Sequence, residues 1–167
     1  MVPKLVDKMK AALLRKLARP LMLLCVALPL AACGSVSDVK EDAAALSHGA
    51  SPHVLRLVDK YAHEYDVPKS LVHRVVRRES SYNPRAQNRS YYGLMQIHPQ
   101  TARTMGHKGA ASELLDAETN LRYGVKYLRG AWMVADGSED RAISWYSKGY
   151  YYEAKRRGML KQVGLAR

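Results

Sequence analysis

Glu79 stands four positions after Val75 and seven after Val72, so at helical spacing it extends an apolar stripe that also takes in Leu71 and Val76. Arg74, Arg77 and Arg78 fall mostly on other faces of the same helix. A carboxylate on the apolar face, one turn before the chain passes into a polar stretch, is partly desolvated. Desolvation disfavours the charged form and raises the pKa. A carboxyl group that keeps its proton near neutrality can give it to a leaving oxygen, which is the work of a general acid. The same spacing also permits the side chain to swing out and pair with Arg78 or Arg85, which would lower the pKa. Periodicity leaves the two readings level.

The elements that must hold such a group read as helices. Val54, Leu57, Val58, Tyr61, Ala62 and Tyr65 follow the i, i+3, i+4, i+7 pattern. Ser51 suits the N-cap of that helix and Pro52 its first position. Asp66-Val67-Pro68 breaks the chain before the helix that ends at Glu79. A loop from Ser80 to about His98 carries the turn signals Asn83-Pro84 and Gly93. Pro99 can open a short helix to Met105. Asp116 can cap a longer one, whose Leu121, Val125, Leu128 and Trp132 form a buried seam. Asp136-Gly137-Ser138 ends it, and further helices span about Glu139 to Ser147 and Tyr151 to Arg157. No run of alternating Val, Ile and Thr marks a strand. The prediction is one compact all-α domain over residues 52–167.

Residues 1–32 read as a leader. Lys4, Lys8, Lys10, Arg15, Lys16 and Arg19 precede an apolar run from Pro20 to Ala32. That run is shorter than the roughly 20 residues a transmembrane helix needs, and fits a signal-peptide core. Leu30-Ala31-Ala32-Cys33-Gly34 resembles the bacterial lipobox, in which the Cys becomes the lipidated N-terminus. The resemblance implies lipidation of Cys33 and a membrane attachment through it. With Cys25 removed, no thiol is left for a disulfide or a zinc site. Residues 33–51, rich in Ser, Ala and Asp, read as a tether.

The leader holds six of the 27 basic and one of the 15 acidic residues, so the remainder carries 21 against 14, a formal +7. Such a surface attracts acidic polymers. An export signal argues against nucleic acid as the partner.

Two segments then narrow the chemistry. Glu79-Ser80-Ser81-Tyr82-Asn83-Pro84 is followed by Gly93-Leu94-Met95-Gln96-Ile97-His98-Pro99-Gln100-Thr101-Ala102. Together they resemble the paired signature of the soluble lytic transglycosylases, relatives of goose-type lysozyme. Asp116-Ala117-Glu118-Thr119-Asn120-Leu121, Gly124-Val125-Lys126-Tyr127-Leu128 and Ser144-Trp145-Tyr146-Ser147-Lys148-Gly149 continue the resemblance, which covers about Val54 to Lys161. It implies a lysozyme-like helical fold and cleavage of the bond between N-acetylmuramic acid and N-acetylglucosamine in peptidoglycan. Glu79 would act as acid and then as base, closing a 1,6-anhydro ring through the sugar's own C6 hydroxyl. It further implies that Tyr146 hydrogen-bonds the Glu79 carboxyl, that Met95 and Gln96 line the groove, and that Gly93 lets backbone approach the sugar. Ser147 stands where the family has an Asn that contacts an N-acetyl group. Neither a metal nor an organic cofactor is implied, and the expected state is a monomer on the periplasmic side of an outer membrane.

The chain has 11 Tyr and no Phe. Tyr91, Tyr92, Tyr150, Tyr151 and Tyr152 are candidates for stacking on sugars. Ser147-Lys148 in place of Asn-Ala and Tyr91-Tyr92 in place of small residues bear on groove specificity more than on reaction type. Two rivals remain open: a muramidase that admits water on the same fold, favoured by a second carboxylate such as Asp66 or Asp116, and a catalytically weak peptidoglycan-binding lipoprotein.

Overall fold

The structure, a computed structural model, describes residues 36–166. The expected signal segment and Cys33 lie outside the described residues. Five longer helices carry the fold: α1 (Val36–Ser47), α2 (Pro52–Glu64), α3 (Lys69–Ser80), α5 (Ala117–Val134) and α6 (Glu139–Lys148). Two short helices, α4 (Pro99–Thr104) and α7 (Tyr151–Arg156), and a 3-10 turn at Ala111–Leu115 fill the gaps between them. None of these helices is long and apolar enough to cross a membrane.

The expected starts are where the caps place them. The Ser51 hydroxyl accepts from the Val54 N–H at 3.2 Å, and the Asp116 carboxylate accepts from the Thr119 N–H at 2.8 Å. Helix α5 is the axis of the domain. Its Leu121, Val125, Leu128 and Ala131 are fully buried, and α2, α4 and α6 pack around it. Helix α3 buries Leu71, Val72, Val75 and Val76, the stripe the sequence assigns to it, so Glu79 does end an apolar face.

Two expectations change. The stretch expected to be an irregular tether holds α1, which packs on α2 and α3 and buries Ala45. Its Asp42 reaches Lys69 at 3.0 Å and lies 3.4 Å from the buried His73 of α3. Apolar burial there is slight and polar contacts share the docking, which explains the weak periodicity. The loop from Ser80 to His98 also contains a two-stranded antiparallel hairpin, β1 (Gln87–Asn88) with β2 (Tyr91–Tyr92). Its turn places Arg89 at φ 55 without the Asn-Gly or Gly that usually signals such a reversal.

One buried amide ties this hairpin to the axis. Asn120 is 0 % exposed, and its Nδ2 donates to the carbonyls of Tyr92 and Leu114, both at 2.7 Å. Its Oδ1 accepts from the Met95 N–H at 2.8 Å. Gly93, at φ 69, fits between: a Cβ there would overlap both the Asn120 amide and the Leu114 carbonyl.

Asn120→Leu removes the amide and strands the Met95 N–H and the Leu114 carbonyl, whereas the Tyr92 carbonyl keeps the Ile97 N–H at 3.1 Å, so a loss of about 3 kcal/mol is expected. Urea unfolding of the purified protein measures it; a loss within error would show that Asn120 does not carry the clamp.

Candidate active site

Helix α3 ends one residue beyond Glu79. Ser81 and Tyr82 both take left-handed conformations, φ 48 and 64, and turn the chain away. Tyr82 is buried with its hydroxyl 3.0 Å from His73 Nδ1, which fixes the reversal to the preceding turns of α3. The Ser80 hydroxyl lies 2.8 Å from the Leu94 carbonyl and 3.1 Å from that of Val76. The helix end is thereby joined to the segment that follows the hairpin.

That segment, Tyr92–Gln96, is held from three helices. Ser80 of α3 meets Leu94, Asn120 of α5 meets Tyr92 and Met95, and Tyr146 of α6 donates its hydroxyl to the Met95 carbonyl at 2.8 Å. Gln96 takes φ 44, a conformation that costs a non-glycine residue roughly 1 kcal/mol or more. Its Nε2 donates to the carbonyls of Ala86 and Gly93, both at 3.0 Å, which leaves Oε1 as the atom free to meet a ligand.

Around these elements opens a cleft of about 430 Å³ lined by Arg78, Glu79, Asn88, Tyr91, Gln96, Tyr146 and Ser147. A second compartment of about 230 Å³ shares Tyr91, Gln96, Tyr146 and Ser147 and extends past His98, Tyr127 and Lys148. The two form one groove with Glu79 on its wall. Glu79 is the lone carboxylate among the residues that line either compartment. Asp116 is occupied as the cap of α5, and Asp66 lines a different depression.

Glu79 is 23 % exposed, and no described residue donates a hydrogen bond to its carboxylate. Burial pushes its pKa up, and the Arg78 guanidinium, with Nε 3.5 Å from Oε1, pulls against that shift without cancelling it. The negative end of the α3 dipole acts in the same direction as burial. Both sequence readings of Glu79 are therefore present, and desolvation is the larger. Such a carboxyl group can hold a proton and surrender it to an oxygen in the groove.

Gln96 and Ser147 line the groove. Tyr146 lines it too, but its hydroxyl goes to the Met95 carbonyl and not to the Glu79 carboxyl; burial and the Glu79 charge hold its pKa well up, so that proton stays in place. Met95 is not a groove residue: it is 0 % exposed, and its side chain packs against the bare face of Gly124. Gly93 is buried, and its missing Cβ makes room for Asn120, not for a ligand. Of the stacking candidates, Tyr91 stands in the groove, 48 % exposed, with its ring edge-on to His98 at 5.6 Å. Tyr150 is core, its hydroxyl on the Tyr127 carbonyl at 2.9 Å. Tyr92 belongs to the apolar cluster around Ile97 and Leu114, and Tyr151 borders a separate depression beside Arg103. Asn88, Tyr127 and the structural Asn120 received no role from the sequence, although Tyr127 and Asn120 stand in the motifs that carry the resemblance. For Asn120 a signal existed, an amide beside Leu121 at the start of an apolar seam.

The model of the transglycosylase SLT domain family matches residues 56–159, more than half of the chain. Over 75 residues the chain is 41% identical to the membrane-bound lytic murein transglycosylase E of Buchnera aphidicola, covering 40% of this chain and 34% of that protein. Over 82 residues it is 40% identical to the membrane-bound lytic murein transglycosylase C of Yersinia pestis, covering 44% of this chain and 23% of that one. The match thus spans about a third of the first relative and about a quarter of the second.

A raised carboxyl pKa has a defined cost. Between the unfolded and folded values the native state binds more protons, so the Glu79 contribution is harmless below the unfolded value and turns unfavourable as pH rises through the folded one. Glu79→Gln is expected to raise the urea midpoint at about pH 7 and to lose that advantage near pH 4. A variant no more stable than the parent at neutral pH would mean that the carboxylate is not desolvated.

Proposed function

The chain belongs to the transglycosylase SLT domain family, and from that premise we propose that it is a peptidoglycan lytic transglycosylase in which Glu79 acts alone. The observation that carries this reading is a desolvated Glu79 with no donor on its carboxylate and no second carboxylate among the residues lining its groove.

In this reading a glycan strand lies along the groove with the bond between N-acetylmuramic acid and N-acetylglucosamine at Glu79. The Glu79 proton passes to the glycosidic oxygen, and the C1–O bond breaks toward the N-acetylglucosamine side. The ionised Glu79 then removes the proton of the muramyl C6 hydroxyl as that oxygen bonds to C1. No water is consumed, Glu79 ends protonated, and the new end is a 1,6-anhydro sugar. Glycosidases that use two carboxylates need the second as nucleophile or as base for water; here the substrate supplies the attacking oxygen and its acetamido group supports the cationic centre. Gln96 Oε1 and Asn88 offer polar contacts to the strand, and Tyr91 offers a ring face to a sugar.

The relatives' names place them at a membrane, and we extend that to this chain through lipidation of Cys33, as a monomer on the periplasmic side of the outer membrane. Cys33→Ser is then expected to move the protein from the membrane fraction to the soluble one.

Purified peptidoglycan digested with the protein is expected to release muropeptides one water lighter than hydrolysed products, and Glu79→Gln to lower their yield at least about 100-fold. Hydrated reducing ends that depend on Glu79 would make the protein a muramidase. Strands bound but uncut by the parent protein would make it a binding lipoprotein.

A further inference from the structure

Arg78 occupies the groove wall next to the acid, yet its guanidinium is only partly engaged. Its Nε faces Glu79 at 3.5 Å, and its Nη2 donates to the Ser147 hydroxyl at 2.8 Å. The Ser147 hydroxyl donates in turn to the Ile143 carbonyl one turn back on α6, at 3.0 Å. The serine is thus spent on orienting the arginine. Nη1 and the second Nη2 hydrogen have no partner among the described residues, and the side chain is half exposed. A guanidinium with N–H groups left over can present them as a fork to the two oxygens of a carboxylate. Lys148 adds a second positive charge in the adjoining compartment. Once Glu79 is protonated, no carboxylate lining the groove balances either charge.

We propose that Arg78, oriented by Ser147, is a subsite for a carboxylate carried on the lactyl arm of muramic acid, either the free lactyl acid or an acid of the attached peptide. The proposal rests on the transglycosylase reading and names the feature of the strand that the groove selects. A hydroxyl at position 147 is short enough to leave the guanidinium in the groove while fixing its plane. A carboxylate docked on Arg78 also offsets the charge that pulls the Glu79 proton away, so the acid is best protonated when an acidic strand is in place.

Binding without cleavage separates recognition from chemistry. Full-length Glu79→Gln protein is titrated with soluble strands bearing peptides and with strands freed of them by an amidase. Each kind is used as the acid and after carbodiimide coupling to methylamine. Neutralising the acid is expected to weaken binding about tenfold, the scale of one charge-assisted contact. Adding Arg78→Gln should make acid and amide strands bind alike, while Arg78→Lys, which keeps the charge without the fork, retains part of the preference. An effect in peptide-free strands assigns the lactyl acid; an effect confined to peptide-bearing strands assigns the peptide. A preference that survives Arg78→Gln, or no preference at all, overturns the subsite. Parallel digests with unsubstituted protein keep the two readings apart: anhydro products without an Arg78-dependent preference refute the subsite alone, whereas no anhydro products refute the transglycosylase reading beneath it.

Discussion

The groove beside Glu79 depends on keeping one short segment of backbone satisfied inside the protein. Tyr92–Gln96 runs between helices, and its peptide groups cannot all reach water or a ladder. Asn120 supplies two donors and an acceptor from the first turn of α5, Tyr146 a donor from α6, and Ser80 a hydroxyl from the end of α3. Each bond is modest alone, but leaving its buried partner unmade costs more than the bond contributes. The segment is thus over-determined, which allows Gln96 to sit in a left-handed conformation with its amide locked. The helix that carries Glu79 is fixed to the same segment through Ser80, so acid and groove floor move as one body.

Against this rigid frame the electrostatics are deliberately unbalanced. A carboxylate largely removed from water, at the negative end of its helix and with no donor among the described residues, is held in a form that folding alone would not favour. Arg78 moderates the imbalance at 3.5 Å, too far and too exposed to abolish it. Its second contact, with Ser147, shows that the arginine is positioned by more than attraction to its neighbour. The proposed acid and the proposed carboxylate subsite consequently share one side chain.

Helix identity was readable in the sequence wherever an apolar stripe met a cap: Ser51 opening α2, Asp116 opening α5, and the valines of α3. The place of Glu79 on the apolar face of α3 follows from the period of that helix, whereas its candidacy as the acid rests on the motif around it. What escaped depends on partners far away in the chain. Helix α1 adds little apolar burial and docks in part through Asp42, so it lacks a strong period of its own. The hairpin turns at Arg89 without glycine, stabilised by its surroundings. The Tyr146 hydroxyl had two acceptors within plausible reach, and only the packing of α6 decides for the Met95 carbonyl. Met95 and Gly93 carry the motif that points to the groove, yet both serve it from behind, one by filling the core against Gly124 and the other by admitting Asn120.

In the proposed reaction the attacking oxygen comes from the sugar and Glu79 needs no second carboxylate. Digestion of purified peptidoglycan in water enriched in ¹⁸O tests it directly, with mass spectrometry of the released ends. Glu79-dependent products are expected to carry no ¹⁸O at the muramyl C1, because that carbon closes onto its own C6 oxygen. Incorporation of one ¹⁸O at that carbon in step with cleavage would show that water attacks, and would contradict it.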